Sequence, residues 1–360
     1  MRKPPDLLVM LAPAALVTAV VVAVGLQAAP GADDERAANA GIVAPPTPSD
    51  SAAAVEATPR AKATPAPTPA ARDTRRQLTG PRVVLEPRPE PKKPPPPKFR
   101  TVAPASFTVA SFNVLGHSHT VKGGNRPGWA SSGVRMGWAL GSLSGQGVDV
   151  VGLQEFQAPQ LNNFLGRAGG TWDVWPGMAV GHLGVENSIA WRQGSFGAVE
   201  KRTIGIPYFG GRQRQMPYVL LEHYATGQRV WVANFHNPAT TKAHGNNVRW
   251  RRAATSIQIG LANRLGADGT PVIFTGDFNE RAEYFCPLTA NTALKAANGG
   301  STGGACAPPP RMLVDWVFGS DKIEFSRYRA DLSANVRRAT DHPLVVTEAT
   351  LPGYRERLEP

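Results

Sequence analysis

Six short apolar segments between Phe107 and Thr347 each end on, or stand beside, an Asn, Asp, Glu or His. In chain order the polar residues are Asn113 after FTVASF, Glu155 after VDVVGLQ and His236 after RVWVANF. Asp277 and Asn279 follow in PVIFTGDFNE, Asp315 in RMLVDWVF, and Asp341 with His342 just before LVVT. Short runs rich in β-branched and aromatic residues read as buried strands. In an extended chain, residues i and i+2 leave on the same side, so Asp277 and Asn279 emerge together. The pattern constrains the chain to an α/β fold with polar groups gathered at strand ends, where α/β sheets bind ligands. Singly, these residues read as Asx turns, a helix-start glutamate and a satisfied histidine; their recurrence at strand after strand departs from that reading.

Two helices separate the strands. Ser131 to Leu143 offers Val134, Trp138 and Leu140 as an apolar face. Asn247 to Leu265 places Trp250, Ala254, Ile257, Leu261 and Leu265 at helical spacing, with Arg249, Arg251 and Arg252 on its polar face. The second helix leads into the GDFN strand, which makes a strand–helix–strand unit. Between the helices, ENSIAWR, MPYVLLEHY and RVWVANFHNPAT are strand-like and joined by Gly-rich turns. Asp315, between Val314 and Trp316, is expensive to bury without a partner. Thr340-Asp341-His342-Pro343 supplies the candidate.

The first third of the chain is of another kind. Arg2 and Lys3 precede the apolar run Leu7 to Leu26, and small residues follow at Gln27-Ala28-Ala29-Pro30. Residues 1–30 read as a signal peptide or membrane anchor, and either places the remainder outside the cytoplasm, secreted or held at the cell surface. Residues 31–105, built of Ala, Pro, Thr, Arg and Lys, cannot bury enough apolar surface to fold and read as a disordered, extended spacer. The expected catalytic domain is 106–351, with 352–360 a tail. The net charge of +12 divides as 14 Lys/Arg against 9 Asp/Glu in residues 1–104 and 25 against 18 in residues 105–360. A basic globular part favours an anionic partner. The two cysteines, Cys286 and Cys306, are expected to pair in an exported protein.

Carboxylate and amide oxygens at strand ends suit a hard divalent cation, Mg2+ or Mn2+ with Ca2+ an alternative. An Asp–His pair fixes an imidazole tautomer and raises its basicity. The ordered motifs SFN, QE, NFHN, GDFN, VDWVF and TDHP resemble the endonuclease/exonuclease/phosphatase superfamily, which includes deoxyribonuclease I-like enzymes and bacterial sphingomyelinases. The resemblance covers about Ser106 to Leu351. It implies a four-layered α/β sandwich, with two mixed β-sheets face to face and helices outside.

By that resemblance Glu155 is the principal metal ligand, assisted by Asn113 and Asp341. Asp315 orients His342, the imidazole that activates water or holds the phosphate. Asp277 handles the nucleophile or leaving group, while Asn279 and His236 bind phosphate oxygens. Glu186 is a looser match to the acid that supports the second histidine; Asn237, Arg212 and Arg214 are placed with it at the substrate. The cysteine-bracketed loop resembles that of secreted deoxyribonucleases. The implied activity is metal-dependent hydrolysis of nucleic acid; a monomer is expected, with no protein partner inferred and residues 7–26 as a membrane tether if the leader is kept. A phosphate track of Arg212, Arg214, Arg249, Arg251 and Arg252 is expected to line the site. A sphingomyelinase-like phospholipase, which requires an exposed aromatic hairpin and has only Trp172 to Met178 to offer one, is the rival, as is a small-molecule phosphatase. The non-enzymatic alternative is a surface-tethered binding module with a vestigial site.

Overall fold

The computed structural model describes residues 97–358; the leader and most of the proline-rich spacer lie outside the described residues. In chain order the strands are β1 (Phe99–Val102), β2 (Ala105–Asn113), β3 (Val150–Gln154), β4 (Trp172–Trp175), β5 (Asn187–Arg192), β6 (Phe196–Pro207), β7 (Gln213–His223) and β8 (Arg229–His236). They continue with β9 (Val272–Asp277), β10 (Leu294–Ala296), β11 (Asp315–Ser320), β12 (Glu324–Asp331), β13 (Leu344–Leu351) and β14 (Tyr354–Arg357). The helices are α1 (His117–Thr120), α2 (Ser132–Gly145), α3 (Ala158–Ala168), α4 (His182–Val185), α5 (Val248–Leu265), α6 (Ala282–Asn291) and α7 (Ala334–Ala339).

Strand alternation sorts the apolar side chains into three cores. In β9, Val272 and Phe274 face helices α5 and α6, joining Leu261, Tyr284, Phe285 and Leu288. Ile273, between them, faces the opposite way, onto Val109, Val150, Val232, Val317 and Val345. In β3, Val151 and Leu153 face α2, α3 and α7 through Met136, Leu143, Phe164 and Val336. The result is four layers, helix–sheet–sheet–helix, as the family resemblance implies. One six-stranded sheet has the order β12-β13-β2-β3-β5-β4 and the other β10-β11-β9-β8-β7-β6. Both are mixed: β2–β3 and β8–β9 run parallel and the remaining pairs antiparallel.

At Gly152 the two sheets come too close for any side chain. A methyl group there would collide with the Thr275 hydroxyl and the Asn234 amide. Asn234 is wholly buried and joins the two sheets. Its Nδ2 donates to the carbonyls of Leu153 at 2.8 Å and Ser188 at 3.1 Å, and its Oδ1 accepts from Gln154 Nε2 at 2.6 Å. With its partners satisfied, this amide fixes how the sheets are seated instead of costing stability.

Four differences from the sequence reading have physical causes. Residues assigned to spacer and tail form β1 and β14, which pair antiparallel with Phe99 opposite Arg357. The apolar face of α2 is Met136, Ala139 and Leu143, while Val134 is 45% exposed. The stretch after Asn279, read as loop, contains α6; Pro287 within it interrupts the helical signal, yet Tyr284, Phe285 and Leu288 bury one face. Strand β6 went unread because it is a sheet edge carrying Glu200, Lys201 and Arg202, with no clean alternation. Cys286 and Cys306 are joined, as expected, with Cα atoms 5.4 Å apart.

Candidate active site

The two parallel pairs set the position of the site. Their register aligns Asn113 with Gln154 and His236 with Asp277, and antiparallel β11 begins with Asp315 opposite Asp277. Both sheets therefore deliver polar side chains to one end. Just past the strands the backbone turns through left-handed conformations at Leu115, Glu155 and Asn279, with φ of 51°, 55° and 52°. Non-glycine residues held in this region are uncommon and gather at functional sites.

Asp277 is at the centre and almost fully buried. Its Oδ2 lies 3.7 Å from His236 Nε2, 3.8 Å from His342 Nε2 and 3.1 Å from Asn113 Nδ2. Its Oδ1 accepts the Asn279 backbone N–H at 3.0 Å in a local Asx turn. The same Asn113 Nδ2 donates to Glu155 Oε1 at 2.9 Å, while Leu115 N–H fixes the amide by donating to Asn113 Oδ1 at 3.0 Å. Glu155 Oε2 accepts from Gly116 N–H at 2.8 Å and faces His119 Nε2 at 3.1 Å. His342 Nδ1 lies 3.0 Å from each oxygen of buried Asp315.

These environments push the titrating groups apart. Burial alone would raise the Glu155 carboxyl, but the His119 hydrogen bond and the Gly116 and Asn113 donors hold it well below the usual carboxylate range. Burial raises Asp277, reinforced by neighbouring Asp315 and opposed by the two histidines. Burial lowers His236 despite Asp277 and Glu155. Burial also acts to lower His342, but Asp315, Asp277 and Asp341 overcome it and carry the imidazole up to about 10. One histidine is thus neutral and the other an imidazolium at neutral pH, an arrangement that separates acid from base roles.

The cluster opens into a cleft of about 1040 Å³. Arg212, Arg214, Glu186 and Asp341 also line it. The arginine track is shorter than expected: Arg251 is buried and paired with Glu280 at 2.8 Å, and Arg249 stacks on Trp250. Glu186 binds Arg214 instead of supporting His236; the group beside His236 Nδ1 is Tyr208 Oη, at 3.4 Å. Asn237 is buried away from the cleft and acts one step back, its carbonyl holding Asn279 Nδ2 at 2.9 Å. Asn113 offers the carboxylates a donor, not an oxygen, so as placed it bridges them. Asp341 is engaged by Arg126 at 3.0 Å.

Sequence reading missed His119, in the one-turn helix α1, and Tyr208 and Arg126, in loops, all without motif context. It also missed Arg135 of α2, 1% exposed, which donates from Nη1 to the carbonyls of Val114 and Ala339 at 2.8 Å each. That side chain ties the segment after Asn113 to the segment before His342.

Two donor sets suit a divalent cation. Atoms of Asp277, Asp315 and His342 lie within 4.8 Å of one another, but there an imidazolium already balances the carboxylates. Glu155 is the better fit: ionised, 20% exposed at its side chain toward the cleft, and only an Asn113 amide away from Asp277. Hard oxygen ligands completed by water are what Mg2+ prefers.

A two-sheet α/β sandwich with acids and histidines converging at its strand ends defines a class of phosphoester-cleaving folds. The chain belongs to the endonuclease/exonuclease/phosphatase family, whose model matches residues 110–342. No curated protein sequence matches the chain. Among solved structures, a member of this family from Bacteroides thetaiotaomicron is similar at 20% identity, with 69% of this chain and 98% of that one covered and a TM-score of 0.53. The human Nocturnin catalytic domain with bound sulfate is similar at 16% identity, covering 73% and 98%, with a TM-score of 0.52. A mannosyl-6-phosphatase from Bacteroides thetaiotaomicron is similar at 19% identity, covering 70% and 100%, with a TM-score of 0.50. At these identities the likeness is one of fold.

Proposed function

We propose that the protein is an exported, divalent-metal-dependent phosphodiesterase that hydrolyses nucleic acid. The observation that carries the reading is Asp277 Oδ2, which faces two histidine Nε2 atoms at 3.7 and 3.8 Å and shares the Asn113 amide with Glu155. Glu155 would hold the cation, with water completing its coordination. What the cation supplies when bound is neutralisation of phosphate charge and polarisation of a phosphate oxygen.

The chain's own groups do the rest. His342, an imidazolium steadied by Asp315, donates its Nε2 proton toward a phosphate oxygen. His236, kept neutral by burial and placed by Tyr208, binds a second oxygen. Asp277 receives the proton of the attacking water at Oδ2 as the water oxygen bonds to phosphorus; the ester P–O bond opposite breaks, and the leaving oxygen takes a proton from solvent as the product alcohol. Asn279, fixed by the Asn237 carbonyl, and Arg214, stacked over Tyr208 at 4.1 Å, add positive potential at the phosphate. Preorganised charge of this kind is the main resource in phosphoryl transfer.

Nucleic acid as the substrate is supported by the basic chain and by Arg126, Arg212, Arg214 and Lys242 in the cleft lining. The sulfate of the Nocturnin structure shows that a related fold accepts a tetrahedral anion. The mannosyl-6-phosphatase neighbour favours a second reading, a phosphatase of small esters. The phospholipase reading loses its required feature: Trp172 lies buried in strand β4, and Trp172 to Met178 does not form an exposed hairpin. Export rests on the leader at residues 7–26. Among the described residues no helix is long and apolar enough to cross a membrane.

The test is a substrate panel of plasmid DNA, single-stranded DNA, RNA, sphingomyelin and p-nitrophenyl phosphate, each with Mg2+, Mn2+ or excess chelator. Nucleic acids should be cut with Mg2+ or Mn2+, the rate falling steeply with added salt as phosphate contacts are screened. Preference for sphingomyelin or a phosphomonoester, or hydrolysis that persists in chelator, would refute the proposal.

A further inference from the structure

A row of aromatic rings leaves the catalytic cluster and ends at the cleft rim, and no step of the mechanism uses its outer half. It begins at Tyr208, whose Oη faces His236 and whose ring is capped by the Arg214 guanidinium. Phe209 follows at 4.5 Å between centroids, and His244 lies flat on Phe209 at 3.9 Å with 15° between the planes. All four side chains line the same cleft as Asp277 and His342. His244 is exposed and Phe209 half-buried.

The row is built on pinned backbone. Phe209 is set by a turn in which Gly210 and Gly211 have φ of 65° and 85°, and any side chain at Gly211 would strike the Trp250 ring. The loop that carries His244 is closed by Asn247 Nδ2, which donates to the carbonyls of Ala239 at 2.9 Å and of His244 and Gly245 at 3.3 Å each. Arg251, anchored by Glu280, donates to the Pro238 carbonyl at 3.0 Å and the Thr240 hydroxyl at 3.1 Å. An exposed ring held this firmly binds a partner at little entropic cost.

We propose that Phe209 and His244 form a stacking platform for a nucleobase of the substrate. One end of the row lies at the phosphate chemistry and the other at the rim, as the phosphate and base of one nucleotide require. Arg212 and Lys242, also in the cleft lining, suit the backbone phosphates on either side. A platform that stacks any base is sequence-tolerant. The inference rests on the nucleic-acid reading and names the part of the substrate that this end of the cleft holds.

The experiment compares a thymidine oligonucleotide with an abasic phosphodiester chain of equal length, in the wild-type protein, His244→Ala and Phe209→Ala/His244→Ala. Binding is measured by fluorescence anisotropy in chelator, and kcat/KM with Mg2+. The wild-type protein should favour the base-bearing chain by about tenfold in both measurements, as a base–aromatic stack predicts, and the double variant should lose most of that ratio. His244→Ala, which removes an exposed ring and leaves the core intact, should lose part of it. No preference in the wild-type protein, or an unchanged ratio in both variants, overturns the platform. Hydrolysis of both chains without preference leaves the phosphodiesterase reading intact while sinking the platform. Base-dependent binding without hydrolysis does the reverse.

Discussion

Asp315→Asn keeps the shape of the residue that orients His342 and removes its charge. In the native protein burial works against the imidazolium, yet Asp315, facing Nδ1 at 3.0 Å, leads the groups that carry its pKa from 6.5 to about 10. At about 1.4 kcal/mol per pKa unit this is a preference of roughly 5 kcal/mol for the charged ring. Water reaches the 21%-exposed side chain and screens part of it, leaving on the order of 3 kcal/mol for the substitution. Because the folded pKa lies above the unfolded one, the folded state holds the extra proton between these two values. The stabilisation is fully present below pH 6.5 and is lost as pH rises to about 10, with a slope of at most about 1.4 kcal/mol per pH unit. In the variant burial is opposed by Asp277 and Asp341 alone, so the ring's pKa falls from about 10 toward the ordinary histidine value and most of that slope disappears. Urea unfolding of both proteins from pH 6 to pH 10 in chelator, with histidine NMR titration alongside, measures it. The stability gap should be on the order of 3 kcal/mol at pH 6 and close toward pH 10. A gap that is constant with pH, or a His342 titration unmoved by the substitution, would refute the reasoning.

Other outcomes follow from single contacts. Gly152→Ala drives a methyl group into the Thr275 hydroxyl and the Asn234 amide and should cost at least about 2 kcal/mol by denaturant unfolding, since both obstacles are buried. Arg135→Met deprives the Val114 and Ala339 carbonyls of their buried donor. It should destabilise by roughly 2–3 kcal/mol and lower kcat more than it raises KM, because the tie between the Asn113 and His342 segments is cut. Asn237→Ala keeps the backbone carbonyl that holds Asn279 but leaves the buried Gln258 Nε2 without its acceptor; thermal unfolding should show a loss of roughly 1–3 kcal/mol, with kcat on the same preparation little changed.

The parts of the site legible in the sequence are those where backbone geometry alone decides. Asn113, His236, Asp277 and Asp315 end or begin strands whose apolar runs are unmistakable and Glu155 directly follows one, and the parallel pairing of β2–β3 and β8–β9 brings their ends together. The Asp315–His342 pair was legible for an energetic reason: an aspartate among Val314, Trp316 and Val317 demands a partner. What failed depended on side chains meeting across long separations. Arg251 has the spacing of a solvated helix face, and only the fold brings Glu280 against it. Glu186 does not take its expected place because Arg214 holds it, and Tyr208 stands beside His236 instead. Strand β14 escaped notice since its partner Phe99–Val102 adjoins a proline-rich stretch.

Anomalous scattering from crystals grown with Mn2+ and a phosphorothioate oligonucleotide tests the central claim most directly. The account predicts one strong peak at coordination distance from a Glu155 carboxylate oxygen, with the phosphate between it and the Nε2 atoms of His236 and His342. A metal held instead by Asp277, Asp315 and His342, or a phosphate bound away from both histidines, would contradict it.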